Sequence, residues 1–306
     1  MFDMATDSGL FATRAALLEK GFKLEGNVFV KGEEKWLPLY EAKMVWQYDH
    51  RFGSYESVTS RGNTHLVSTP DVNYSDVHHL ITPWYWVSLN DVLHRTSLWK
   101  HTWLLGWRDI TNSTNRRTLI SCLIPLGGCG DKFLLLFADG PIKKMMALYG
   151  QINSIVCDYL VRNKLGGTSL KYFILRQIPI LPPSHYSELN LHQIIPKIIE
   201  LTYTAWDLEG FAQDILKEIG EEAWNTWFPS NPVHGGKVDP FIWDEERRFI
   251  LQRELDAIYA HLYGISRDDL AYILDTFPIV RKNDETKYGY FRTKEDVLSL
   301  YDKFQI

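Results

Sequence analysis

Residues 39–56, LYEAKMVWQYDHRFGSYE, set Glu41, Lys43, Asp49, His50 and Arg51 among aromatic side chains within eighteen positions. Such groups could hold a metal, move a proton or lock a turn. A magnesium-dependent nuclease needs an acid followed downstream by Glu-x-Lys, so that carboxylates hold the ion and the lysine assists. Glu41-Ala42-Lys43 has that triplet, but Pro70-Asp71 comes after it instead of before it, which counts against a nuclease. His78-His79 is a poor metal pair, because neighbours on a strand point to opposite faces. Gly127-Gly128-Cys129-Gly130 lacks the Lys-Ser/Thr of a phosphate-binding loop and reads as a tight turn. Cys157 lies in a helical apolar pattern and reads as a buried thiol, not a nucleophile.

A DNA methyltransferase needs a polar-Pro-Pro-aromatic loop to grip an extruded base. Asn231-Pro232 continues as Val233-His234, and Leu181-Pro182-Pro183-Ser184 has neither the polar first residue nor the aromatic last one. No specific catalytic constellation emerges.

The elements that must position these residues divide along the chain. The chain has 306 residues, enough for two domains, and its 45% apolar content fits a globular core. Eleven Trp suggest large amphipathic surfaces as well. No apolar run approaches the roughly 18 residues of a membrane span. The N-terminal residues lack the pattern of a signal peptide. Cys122, Cys129 and Cys157, an odd and unpaired set, point to a reducing cytoplasm.

A short helix is expected near Leu10–Lys20, then a hairpin about Gly26. THLVST, WYWVSL, TWLLGW and RTLISCLIPL read as strands between 36 and 140, and DKFLLLF is strand-like. Ile142–Leu165 reads as one long helix stopped by Gly166-Gly167, and LKYFILRQIPILPP as a strand ended by prolines. Residues 186–306 read as helical, broken or kinked near Pro196 and Gly210. Asp244 caps the clearest helix, and Gly264 stops it. Ser266 with Asp269, and Thr293 with Asp296, look like capping boxes.

The net charge of −5 conceals an asymmetry. Residues 92–176 carry 12 Lys and Arg against 4 Asp and Glu, whereas residues 181–306 carry 13 against 22. Charge alone leaves open either a surface for a polyanion or an ordinary solvated face.

Longer stretches narrow the choice. WLPLYEAKMVWQYDHRFGSYE (36–56), ITPWYWV (81–87), WLLGWRDITNSTNRRTLISCLIP (103–125), LNLHQIIPKIIELTYTAWDLEGFA (189–212), FIWDEERRFILQRELDAIYAHLYGI (241–265) and DDLAYILDTFPIVRKNDE (268–285) resemble, in this order, the C-terminal portion of large site-specific adenine DNA methyltransferases. These enzymes serve restriction-modification and related phage defence, many as fused methylation–restriction enzymes. The middle of the chain is also similar to type I restriction specificity subunits, in its helix, Gly166-Gly167-Thr168 turn and Gln177-to-Pro183 segment.

The resemblance implies an α+β chain with a lead-in segment at 1–35, a mixed α/β target-recognition domain at 36–185 and a helical scaffold at 186–306. It implies a cytoplasmic, sequence-specific module for double-stranded DNA, serving an adenine-N6 methyltransferase. The donor S-adenosylmethionine would belong to an upstream catalytic domain, with no cofactor or metal in this chain. The expected partners are DNA and that domain or a separate catalytic subunit, with no membrane. The rivals are a stand-alone interaction subunit and an independent nuclease. Arg108, Asn112, Thr114, Asn115, Arg116, Arg117, Lys132, Arg162, Lys164, Thr168 and Lys171 have the side chains to meet phosphates or base edges. Asp49 and Arg51 read best as holding their loop in shape, and a direct DNA contact by His50 or Arg51 is the minority alternative.

Overall fold

The computed structural model describes residues 1–59 and 71–304, and the expected strand THLVST (64–69) lies outside them. The fold is α+β. Strands β1 (Phe11–Ala12), β2 (Lys23–Glu25), β3 (Val28–Lys31), β4 (Glu34–Tyr40), β5 (Trp86–Ser88), β6 (Trp103–Arg108), β7 (Ser121–Pro125), β8 (Gly128–Cys129) and β9 (Phe133–Leu136) make two sheets. One runs β1-β5-β4-β3-β2, with β8 joined parallel to β4; the other runs β7-β6-β9 and is antiparallel. Gly26, at φ +62°, forms the expected β2–β3 turn. The glycine run at 127–130 is not the tight turn its composition suggests. Gly128 lies in a strand, where an added Cβ would stand 2.5 Å from Val87 and 2.8 Å from Leu39. Close packing, not a left-handed backbone, requires glycine there.

The helices are α1 (Arg14–Glu19), α2 (Asp71–Ser75), α3 (Leu89–Arg95), α4 (Ile142–Asn153), α5 (Ile155–Lys164), α6 (Tyr172–Leu175), α7 (Glu188–Thr202), α8 (Glu209–Ile219), α9 (Glu221–Trp227), α10 (Glu245–Leu262), α11 (Arg267–Asp275), α12 (Pro278–Tyr288) and α13 (Arg292–Lys303). Asp244 caps α10 by accepting from the Arg247 amide at 2.6 Å, and Ser266 caps α11 by accepting from the Asp269 amide at 3.2 Å, as their patterns predict.

Several expectations fail for identifiable reasons. The long helix of 142–165 is two, because Ser154 adopts ψ 154° and its hydroxyl caps α5 on the Cys157 amide. The strand expected over 170–183 is absent. Its buried Leu170, Ile174 and Ile178 recur four apart, a helical spacing, and α6 forms instead. Helix α7 continues through Pro196, and Gly210 lies inside α8; the break falls between them, at residues 203–205. Thr293 is not a cap but a buried residue whose amide donates to Asp284.

The chain forms two compact units. The first comprises 1–109, 121–139 and 202–242; the second comprises 110–120, 140–201 and the residues from Trp243 onward. All the strands named above lie in the first unit, and the second is helical. This differs from three consecutive segments divided at 35 and 185. Strands β2 and β3, within the expected lead-in segment, join the same sheet as β4, so residues 23–31 are not separate from the domain beyond residue 35. Ile155 and Val156 of α5 share a core with Ala257, Leu270 and Phe277. Among the described residues, no helix is long and apolar enough to cross a membrane.

Candidate nucleic-acid interface

Two regions bring the sequence-selected residues together, one in each unit. In the first unit, Trp46 and Asp49 close a turn through reciprocal backbone hydrogen bonds of 2.7 and 3.1 Å. Tyr48 within it takes φ +57°, a left-handed conformation that costs a non-glycine residue about 1 kcal/mol. Asp49 spans the turn, accepting from the Arg51 amide at 2.9 Å and the Tyr74 hydroxyl at 2.7 Å. The Arg51 guanidinium donates to the carbonyls of Asp76 at 2.8 Å and Thr204 at 3.0 Å. His50 Nε2 lies 2.9 Å from Asp207 Oδ1. The turn is thereby clasped to residues 74–79 and 203–207 of the same unit.

A histidine beside a carboxylate resembles a base and the group that orients it. Here, however, His50 is 1% exposed and Arg51 fully buried. Burial lowers the Arg51 pKa, partly offset by Asp207 and Asp49. The minority alternative that His50 or Arg51 contacts DNA is therefore corrected, because both are interior groups, and the bonds of Asp49 and Arg51 fit the expectation that they hold the loop in shape. Glu41 accepts from the Tyr55 hydroxyl at 2.8 Å, and Lys43 stands 3.8 Å from it. Among the described residues, no group of three His, Cys, Asp or Glu is arranged to hold a metal. Cys122, Cys129 and Cys157 are buried and outside any disulfide, and burial pushes the Cys157 thiol up to about 12.

In the second unit, the loop 110–120 is built around a buried carboxylate. Asp158 accepts from the amides of Thr118 at 3.0 Å and Leu119 at 3.3 Å, and pairs with Arg117 at 3.3 Å and Arg162 at 3.5 Å. Burial raises the Asp158 pKa, opposed by Arg117 and Arg162. Arg162 stacks on Phe277, 4.0 Å from the ring centre, and reaches the carbonyls of Asn115 at 2.6 Å and Arg116 at 3.1 Å. Asn112 accepts from the amide and hydroxyl of Thr114, both at 2.9 Å, folding the tip into an Asx turn. Thr111 donates through its amide to the Thr168 carbonyl at 3.1 Å, and Ile110 bridges Ser169. The 110–120 loop thus runs beside the segment that succeeds α5.

The expected contact residues sort by exposure. Thr114, Asn115, Arg116, Lys164, Thr168 and Lys171 are exposed, and Asn112 is half-buried. Arg117 is buried in the Asp158 pair, its guanidinium also donating to the Asn153 carbonyl, and is corrected from a DNA contact to an internal brace. Arg162 is half-buried and shapes the loop. Arg108, in the first unit, lies over Trp46 and Phe52 and donates to the Val45 carbonyl. Burial lowers its pKa to about 10, and it too is corrected from a phosphate contact to a packed group. Lys132, also in the first unit, is exposed but bonds Asp131 at 2.8 Å.

The feature that sequence reasoning overlooked is an absence that it could have read. Neither 110–120 nor 159–187 contains a single Asp or Glu. Against that, Arg116, Lys164, Lys171 and Arg176 are all exposed. Of the acids the loop meets, Asp158 is buried and already spans two guanidinium groups, and Asp256, also buried, lies 3.9 Å from Arg117. A surface of cations with short amide and hydroxyl side chains at its tip suits a polyanion whose edges also offer donors and acceptors. No family model, curated protein or solved structure matches the chain.

Proposed function

We propose that this chain is a DNA-recognition module of the kind that gives an adenine-N6 methyltransferase, or a methylation–restriction enzyme, its target site. The observation that carries the reading is that two neighbouring segments of the second unit, the 110–120 loop and the residues after α5, expose Arg116, Lys164 and Lys171 and contain no Asp or Glu of their own. Arg116, Lys164 and Lys171 neutralise phosphates, while Thr114 and Asn115, on the braced tip, reach a base edge. S-adenosylmethionine and the methyl transfer belong to a catalytic partner, whether domain or separate subunit, and the acidic 181–306 stretch suits contact with protein better than with phosphate.

The test is a titration of the chain with duplex DNA at several salt concentrations. Each phosphate contact contributes roughly 0.9 to the slope of log affinity against log salt. The triple variant Arg116→Ala/Lys164→Ala/Lys171→Ala should bind weakly and flatten that slope by about 2 to 3 units. Equal slopes for wild type and variant would remove this surface as the DNA site.

A further inference from the structure

Helix α6 carries a feature that phosphate binding does not use. Tyr172 is 44% exposed and Phe173 64% exposed, while Ile174 beside them is buried and pins the helix. Folding normally hides a phenylalanine ring, since burying one contributes roughly 2 kcal/mol or more. The surroundings of this one are cationic. Lys171 and Arg176 flank the two rings in sequence, both are exposed, and the whole run from 159 to 187 lacks an acid. Tyr272, by contrast, stands near Asp268, Asp269 and Asp275 in sequence, and beside the exposed Tyr290 the cation Arg292 is already bound to Glu246 at 2.8 Å. The segment is held beside the 110–120 loop through Thr168 and Ser169, immediately ahead of α6.

We infer that Phe173, with Tyr172 beside it, is an aromatic wedge that stacks on an unstacked base of the DNA held by the neighbouring cations. The inference rests on the DNA reading above and deepens it. Exposed rings flanked by Lys and Arg make a stacking platform, because every base offers a π-face while the cations hold the backbone. Inserted at a base step, such a ring props open the stack from which a base is drawn. Charge complementarity selects DNA as the occupant over an apolar protein surface. The wedge would favour DNA whose bases leave the stack easily, such as a mismatched pair.

The experiment titrates the full chain into a duplex containing 2-aminopurine, whose fluorescence rises on unstacking, and into matched and mismatched duplexes. For the wild type, fluorescence should rise on binding and the mismatched duplex should bind about ten-fold more tightly. Phe173→Ala should keep the salt slope and lose both the rise and the preference, while Phe173→Trp restores the preference. Because the ring is exposed, neither variant should disturb folding. Binding by the wild type with Phe173→Ala indistinguishable from it in fluorescence and preference overturns the wedge and leaves the DNA reading standing. Absence of duplex binding by the wild type overturns the DNA reading, and the wedge with it.

Discussion

Two arginine-bearing stretches of this chain look alike in composition and behave oppositely. Asp49-His50-Arg51 turns all three side chains inward. Asn115-Arg116-Arg117 turns one inward and two outward. The difference lies in the partners that the rest of the chain supplies. Around residues 49–51 there are the Asp207 carboxylate and the carbonyls of Asp76 and Thr204, enough acceptors to hold a histidine and a guanidinium out of water. Around 115–117 there are Asp158, which takes Arg117 and Arg162, and Asp256, 3.9 Å from Arg117. The Arg116 side chain stays exposed, although neighbouring groups desolvate it and, with the cations Arg117 and Arg253, lower its pKa against Glu245 and Asp284. A buried arginine needs partners for its charge and its donors, so the count of buried acceptors decides which arginine stays outside.

The sharpest way to break this contrast is Arg51→Ala. It removes the donor from two buried carbonyls and the cation beside Asp49 and Asp207. Stability should fall by about 3–5 kcal/mol, read by urea denaturation. A loss below about 1 kcal/mol would mean that the turn is not held by its interior charges.

Next in size is Arg117→Met, which keeps much of the volume and removes the charge. A loss of about 2–3 kcal/mol is expected, less than for Arg51→Ala because Arg162 still pairs with Asp158. The variant should also reveal a pH dependence. Burial raises the Asp158 pKa above its ordinary 3.8, so the folded state holds this proton more tightly than the unfolded chain. The deficit should therefore be smallest near about pH 4 and grow as the pH rises through the folded pKa, where the carboxyl must ionise without its main partner. A deficit independent of pH between about 4 and 7 would place the cost in packing instead.

Arg116→Ala sharpens the comparison from the other side. This exposed residue should change stability by no more than about 0.5 kcal/mol. It should weaken duplex binding and lower the salt slope by about 0.9. A stability loss like that of Arg117→Met would erase the distinction between neighbours.

The smallest effect is expected for Lys132→Ala. Its ammonium is exposed and bonds Asp131, so stability should shift within about 0.5 kcal/mol and the salt slope should hardly move. A slope change as large as that for Arg116→Ala would extend the DNA surface onto the first unit.

Much of the fold was legible from local patterns. The β2–β3 hairpin, β6, β7, β9 and the capped α10 and α11 arise from alternation, glycine placement and Asp or Ser at helix starts, because those signals act within a few residues. The misreadings share a cause. The four-residue spacing of Leu170, Ile174 and Ile178 that makes α6 is masked by the other apolar residues of 170–183, and Ser154 breaks a helix that composition alone would continue. The candidate site was legible in residue type, since cations without nearby acids can be counted along the chain.

The local features are therefore those that the sequence determined by itself: where strands and helices begin, and that residues 110–120 and 159–187 carry Lys and Arg but no Asp or Glu. Only the tertiary structure decided which cations stay exposed. Arg108 and Arg117 are as basic in the sequence as Arg116, yet one is packed over Trp46 and Phe52 and the other is bound by Asp158, forty-one positions away. Likewise, an apolar Phe173 that any sequence reading would assign to a core stands on the surface beside Lys171. The physical reason is that burial and ion pairing are long-range events along the chain. A side chain's charge is written in its own codon, but its exposure depends on partners that only folding brings near.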